Sequence, residues 1–406
     1  MNLFTLSNVL LKSEQGNYSK PIVKITIAGV ALGVTVMLLA LFVTAGYKEV
    51  IREKIVSFGG HIRISSVGEN YSFDLQPFDR NQKFIDRLEK NPQIKNIHFF
   101  ATKVGILKTQ TQVEGIVLMG IDATFSWEFF KPHIISGDPL LFDSDTVNNH
   151  IFISNTLAAK LSLQKGDKVA AFFVQEPPRH RSFIVAGLYE TELPELDTRF
   201  ILADLRHVQK LNNWTSEQIS GIEIRIHNYS QLEALGLSIH NEIPYSLKAE
   251  TIKQLYPNLF EWLALTDTNA IVLIVITIFI CIITMISTFF IVIIEQTKNI
   301  GLLKTLGLNH IQILRLFLVI AAKLILRGLL WGNLMGVGIG VIQIVFHLIP
   351  LDPSTYFVSY IPMVIQPFTL LWINLLVFLS CLLTLLIPAF YISKRITPIE
   401  AIRFDS

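Results

Sequence analysis

Residues whose types and spacing could carry chemistry are sparse in this chain. The nearest approach to a phosphate-cradling loop is Gly301–Gly307, which ends in Gly-Leu and lacks the Lys that reaches nucleotide phosphates. The ten histidines are scattered, with no H-E-x-x-H and no Cys/His ligand spacing. Without a partner at ligand spacing, His98 and His133 are expected on strand or loop surfaces rather than on a metal. No G-x-S-x-G is present. Cys281 and Cys381 lie inside apolar runs and read as small core hydrophobes, so no disulfide framework is expected. Ionisable residues inside apolar spans usually mark an ion or proton path. Here only Lys323 and Arg327 come close; they lie one turn apart and can snorkel toward the surface. These absences argue against an enzyme and against a proton-coupled secondary transporter. No cofactor or metal is expected on the chain.

What remains is a contact. Glu295–Gly307, EQTKNIGLLKTLG, is short, basic and helical in pattern, and it sits between two hydrophobic segments each able to cross a bilayer. A short helix there can touch something on the membrane face where it emerges. An ordinary interhelical loop would look the same, and the residues alone leave the two readings level.

The elements that must position this contact follow from composition. The 406 residues are 51% hydrophobic and only 16% charged, against about 25% charged in soluble domains. The charges concentrate in one long region, so the chain reads as part membrane protein. A net charge of +2 gives no reason to expect nucleic acid. Residues 1–20 do not read as a cleavable signal peptide, because Lys12, Lys20 and Lys24 follow the first apolar cluster. Leu3, Phe4, Leu6, Leu10 and Leu11 fit one face of an interfacial helix. Residues 21–46, 269–294, 314–349 and 368–391 are expected as four transmembrane helices. Gly29, Gly33 and Ala40 on the first, and Gly332, Gly336, Gly338 and Gly340 on the third, suit close helix packing.

Residues 47–268 have ordinary soluble composition. Alternation predicts strands at His61–Ser65, Ile97–Leu107, Gly115–Ile121, His150–Ile153, Lys168–Val174, Ser182–Leu188 and Ile222–Ile226. Helical patterns interrupt them at Asn81–Lys90, Asn155–Leu161, Leu205–Leu211, Ser230–Ile243 and Leu247–Leu265. The mixture is an α+β domain, with an insert subdomain at about residues 115–221. Lys and Arg favour the cytoplasmic side. They occupy the segment before the first span, the 295–313 connection and the tail at 392–406, and are missing from the 350–367 loop. Both termini and Glu295–Gly307 are thus expected in the cytoplasm and the large domain outside.

The chain resembles the FtsX-like permease superfamily of ABC transporters, and within it the lipoprotein-releasing LolC/LolE type. The resemblance runs through GVALGVTVMLLALFVTAGYKEVIREKI and HIRI, HIFISNTLAAKLSLQKGDKV, and FIVAGLYETELPELDTRFIL with Glu195-Leu196-Asp197 at the family's acidic position. It continues through LDPSTYFVSYIP and PIEAIRF. Its most specific element is EQTKNIGLLKTLGLNHIQILRLF, against the family pattern E-K-x-x-x-I-(A/G)-x-L-K-x-x-G. The resemblance implies a MacB-like periplasmic domain, a bacterial inner-membrane location, a second permease subunit (identical or paralogous) and a separate ABC ATPase dimer that binds the ATP. It makes Glu295, Lys298, Ile300, Gly301, Leu302, Leu303, Lys304, Leu306 and Gly307 a coupling helix. Ile300, Leu303 and Leu306 would dock into the ATPase and Lys304 would sit at the rim. It further implies a lipoprotein cargo taken from the membrane lipids and passed to a periplasmic carrier.

Relatives grip that carrier with a hairpin near Phe173–Ser182, often longer than the VQEPPRHR found here. Glu176, Pro177, Pro178, Arg179 and Arg181 could form a small basic hook; a plain Pro-rich turn would also fit. Other readings are a permease that drives peptide or drug efflux or regulates a cell-wall hydrolase, and a non-transporting membrane scaffold.

Overall fold

The computed structural model describes residues 19–68, 75–142 and 147–395. They fall into two compact units. The first helix, α1 (Ser19–Gly59), holds residues of both. The interfacial helix expected at residues 1–20 lies outside the described residues, apart from Ser19 and Lys20, which open α1.

One unit comprises Glu49–Glu261 and Leu351–Ser359. Its elements run β1 (Ile62–Ser66), β2 (Phe78–Asp79), α2 (Lys83–Glu89), β3 (Ile94–Lys108), β4 (Val113–Ile121), α3 (Trp127–Phe130), β5 (Ile134–Ser136), β6 (His150–Ser154) and α4 (Asn155–Leu161). They continue with β7 (Lys168–Phe173), β8 (Arg179–Tyr189), α5 (Pro194–Asp197), β9 (Phe200–Asp204), α6 (Leu205–Asn212), β10 (Gln218–Ile219), β11 (Gly221–Ile226), α7 (Leu232–Glu242), β12 (Leu247–Thr251) and α8 (Ile252–Leu255). The main sheet has the order β12-β1-β11-β3-β4-β9-β6-β8-β5. Its first four strands, with α2 and α7, make a βαββαβ unit of all-antiparallel neighbours. β7 pairs with both β3 and β8, which closes β3-β4-β9-β6-β8-β7 into a ring.

The long β3 serves both halves. Ile97 and Phe99 pair with β11, while Val104 to Lys108 pair with β4. The insert expected at about residues 115–221 supplies most of the ring, yet it shares β3 with the rest of the sheet and makes no compact unit of its own. Each expected strand forms. The helix expected at Leu247–Leu265 does not: Leu247–Thr251 pairs with β1 along its length, α8 follows, and a new helix starts at Pro257. Thr251 caps α8 with a reciprocal bond to Gln254, which fixes the switch from strand to helix.

His98 is fully buried rather than on a strand surface. The register explains it: Arg63 faces Glu223 and Glu223 faces His98 across three neighbouring strands. Glu223 contacts Arg63 at 2.5 Å and His98 at 2.7 Å. Burial alone would raise the Glu223 carboxyl, but Arg63 and His98 hold it below its ordinary value. His133 is half-buried at the end of a short 3₁₀ turn.

The other unit contains α9 (Pro257–Glu295) from Trp262 onward, α10 (Thr297–Thr305), α11 (His310–Phe346) and α13 (Pro367–Arg395), together with α1 up to Lys48; the short α12 (Pro353–Tyr356) belongs to the first unit. Among the described residues, three helices are long and apolar enough to cross a membrane: Val23–Gly59 in α1, all of α9, and Pro367–Leu386 in α13. The helix expected as a further span, α11, has 37 residues but carries Arg315, Lys323, Arg327, Asn333 and Gln343, and it is not among the three. A Cβ on Gly332 would lie 2.7 Å from Val34 and 2.8 Å from the Ala31 carbonyl, so only glycine lets α11 come this close to α1. Gly336 and Gly340 follow at four-residue spacing against Leu38 and Phe42. Gly338, two residues off that row, faces open space and does not belong to the packing face. Gly29 and Gly33 of α1 meet Thr284 and Cys281 of α9. Asn333 and Asn374 exchange hydrogen bonds at 2.6 and 2.9 Å, joining α11 to α13.

Candidate functional site

The sequence around α10 fixes a short helix between two long ones. α9 ends at Glu295, and Gln296 makes the turn into α10, its amide donating to Val292 at 3.1 Å and its carbonyl accepting from Ile300 at 2.9 Å. The Asn299 side chain donates back to Gln296 at 2.5 Å and braces the bend. The far end is a glycine stop. Gly307 takes φ +93°, the left-handed conformation that costs glycine little. The Leu308 amide donates to Leu303 at 3.1 Å and the Gly307 amide to Lys304 at 3.0 Å, the paired bonds of a Schellman motif. Asn309 then opens α11 with a capping box to Gln312. The run L-G-L-N-H-I-Q therefore stops one helix and starts the next within a few residues.

This geometry reassigns the faces of α10. Ile300 is 2% exposed and Leu303 is 8% exposed. Both join the core of the helical unit with Val292, Ile313 and Phe317, and Leu308 packs alongside. They anchor α10 to its own chain and are not free to dock elsewhere. The side chains turned outward are Leu302, 61% exposed, and Leu306, 68% exposed, four residues apart on one face. Of the residues expected to dock, Leu306 is the one that is exposed. Gly301 is buried, Glu295 is half-buried and Lys304 is half-buried at the border between faces. Partial burial lowers the Lys304 ammonium from its ordinary value. The Lys298 side chain lies outside the described residues. Both face patterns are compatible with a helical period, so nothing in the sequence separates Ile300 and Leu303 from Leu302 and Leu306.

The expected hook is the turn between β7 and β8, with Phe173 opposite Arg179 in register. Arg179 is not available as a basic finger. Its guanidinium donates to the Lys210 and Leu211 carbonyls at 2.7 and 3.0 Å and to Asn213 at 2.8 Å, closing the C-terminal end of α6. Gln175 adds a bond to the Leu211 carbonyl at 3.0 Å. Glu176, Pro177 and Pro178 are exposed, with Val174 beside them, while Arg181 is half-buried along β8. What projects is a short, mainly apolar and acidic turn pinned to α6.

At Glu195-Leu196-Asp197 the three side chains diverge. Glu195 is exposed, Leu196 is in the core, and Asp197 is buried. The Asp197 carboxylate accepts from the Thr191 amide at 3.0 and 3.1 Å and from the Thr191 hydroxyl at 2.8 Å. Burial nevertheless lifts its pKa to about 6. This acidic position shapes the preceding loop, not a solvent-facing charge.

Residues 271–395 match the family model described as FtsX-like permease C-terminal, and residues 25–241 match the MacB-like periplasmic core domain. The chain is 22% identical to the lipoprotein-releasing system transmembrane protein LolE of Haemophilus influenzae, over 95% of both chains. It is 22% identical to LolC of Xylella fastidiosa over 94% of this chain and 93% of that one. LolC of Neisseria meningitidis serogroup B is 24% identical over 87% of each. The crystal structure of the periplasmic region of MacB from Actinobacillus actinomycetemcomitans aligns at 14% identity and a TM-score of 0.36, over 50% of this chain and 95% of that one.

Proposed function

Since this chain belongs to the family of permeases with a MacB-like periplasmic core and an FtsX-like C-terminal region, we propose that it is the permease subunit of an ATP-driven lipoprotein-releasing transporter. It draws lipoproteins from the outer leaflet of the inner membrane and passes them to a periplasmic carrier. A separate ATPase supplies the energy through α10, and a second permease subunit completes the membrane part. The full-length similarity to relatives named as lipoprotein-releasing LolC and LolE supports the cargo class.

Four membrane helices are proposed, with both termini in the cytoplasm. In support of the fourth, α11 is 37 residues long and turns Leu330, Trp331, Leu334, Ile342 and Val345 outward. Such a row of exposed large apolar side chains needs lipid or another helix to cover it. α1 and α9, with 41 and 39 residues, are about twice the length a bilayer needs. Stiff rods of this kind carry a displacement further than a loop can.

The observation that carries the reading is α10 itself: a helix of nine residues, stopped by Gly307 at its C-terminal end and anchored inward, that offers two leucines outward. The energetics of the cargo demand a driven hand-off. At ~0.8 kcal/mol per buried CH₂, three acyl chains of about fifteen carbons cost on the order of 36 kcal/mol to expose to water. The test is reconstitution of this permease with its ATPase in liposomes bearing an acylated lipoprotein. ATP together with a soluble carrier is expected to move the lipoprotein into solution. Hydrolysis of ATP with the lipoprotein still membrane-bound, and release instead of a peptide or drug, would assign another cargo.

A further inference from the structure

The loop between α11 and α13 carries Leu351–Ser359, which folds with the large domain. Three distant parts of the chain meet there. Lys54, near the end of α1, is 7% exposed. Its ammonium pairs with Glu192 and donates to the Phe357 carbonyl at 2.8 Å. The second oxygen of Glu192 accepts from the Ser359 hydroxyl. One carboxylate thus holds a buried cation from α1 with one oxygen and the α11–α13 loop with the other.

Glu192 reaches this position at φ +58°, a conformation that non-glycine residues rarely adopt. Its neighbours enforce it. Asp197 holds Thr191 by the three bonds already described, and the Thr191 hydroxyl accepts from the Leu193 amide at 3.2 Å. On the loop side, Asp352 caps α12 through Ser354 and Thr355, Phe357 takes φ +61°, and Val358 is 3% exposed. Two left-handed residues therefore converge on one buried lysine, each fixed by its own local bonds. A strained backbone kept in place on both sides of an ion pair indicates a built contact.

We infer that Lys54, Glu192 and Ser359 form a latch that fastens the α11–α13 loop to α1 and to the β8–α5 turn. Its closure makes the helices at either end of that loop move with the domain when the ATPase works. The coupling half of this inference rests on the permease reading; the latch itself does not.

The test uses the full-length protein in its complex. Glu192→Gln keeps the shape and the bond to Ser359 and removes the charge facing Lys54. Lys54→Met/Glu192→Leu replaces the pair with apolar side chains, so the domain stays folded without a buried unpaired charge. In both, amide exchange over residues 351–359 is expected to rise at least 10-fold while β3 and β11 keep their protection. ATP-driven lipoprotein release is expected to fall at least 10-fold, and an oxidised Glu192→Cys/Ser359→Cys pair to restore it. A loop that stays protected in the double variant overturns the latch. A loosened loop with wild-type release overturns the coupling role. If the wild-type complex releases no lipoprotein with ATP, the permease reading fails, and the exchange measurement still decides the latch.

Discussion

Leu303 and Leu306 lie three residues apart on one short helix, yet the structure gives them opposite jobs. Leu303 is 8% exposed in the core of the helical unit and Leu306 is 68% exposed. Truncating a buried leucine to alanine removes its transfer free energy and leaves a cavity, together about 2.7–5 kcal/mol. The Leu303→Ala cost is expected near the lower end, about 3 kcal/mol, because the site borders the helix end and can relax. Leu306→Ala should change stability by no more than about 0.5 kcal/mol. The assay is thermal melting of the purified permease in detergent without its ATPase. Cysteine labelling at the same two positions with a polar maleimide gives a second readout. Leu303→Ala should melt several degrees lower than Leu306→Ala, and Leu306→Cys should label at least 10-fold faster than Leu303→Cys. Equal melting and equal labelling of the two positions would refute the inward anchoring of α10.

Other consequences can be checked separately. Gly332→Val should disrupt α1–α11 packing and sharply lower the yield of folded protein, whereas Gly338→Val, with open space around it, should be silent in the same solubilisation assay. Arg179→Ala should cost the large domain about 1–2 kcal/mol through the lost carbonyl bonds at the end of α6, measured by denaturant unfolding, with Pro178→Ala near neutral. Asp197, lifted to about 6 by burial, contributes stability below its unfolded value near 3.9 and loses it as pH rises through about 6, roughly 3 kcal/mol at 1.36 kcal/mol per pH unit. His61, lowered to about 4 chiefly by burial, works in the opposite direction, favouring the fold as pH rises from about 4 to about 6.5. Asp197→Asn should therefore gain stability relative to wild type between pH 4 and pH 6.5; a constant difference across that range would contradict the assignment.

Much of the fold can be read from alternation and apolar length, because those patterns are local. β7 and β8 alternate buried and less buried residues along their length, the period of a sheet with one face in the core, while β11 alternates in sequence (GIEIRI) although all its residues are buried. α4, at Asn155–Leu161, is bounded by Ser154, which accepts from the Leu157 amide at 3.0 Å, and by a left-handed Ser162. The failures share a cause, which is dependence on distant partners. Leu247–Thr251 has no strong strand composition and becomes a strand because β1 offers it an edge. β9, with the sequence FILAD, is buried throughout and shows no alternation. His98 is internal because β11 brings Glu223 opposite it, at a separation in sequence that no local pattern reveals. α10 is visible as a basic helix between apolar runs, but its inner and outer faces are set by α9 and α11. The latch was invisible for the same reason: Lys54, Glu192 and Ser359 form no motif until the chain has folded.

Docking of a separate ATPase on α10 is read out by affinity purification in mild detergent followed by mass spectrometry. Wild type is compared with Leu302→Asp/Leu306→Asp, which places charge on the outward face and leaves the inward anchors intact. Burying each leucine on a partner contributes about 1–2 kcal/mol, and burying an unpaired aspartate reverses that gain. An ATPase is expected to co-purify with wild type and to be lost from a variant that melts normally. Equal recovery of the ATPase with both proteins, or its absence from both in a complex otherwise intact, would contradict docking on α10.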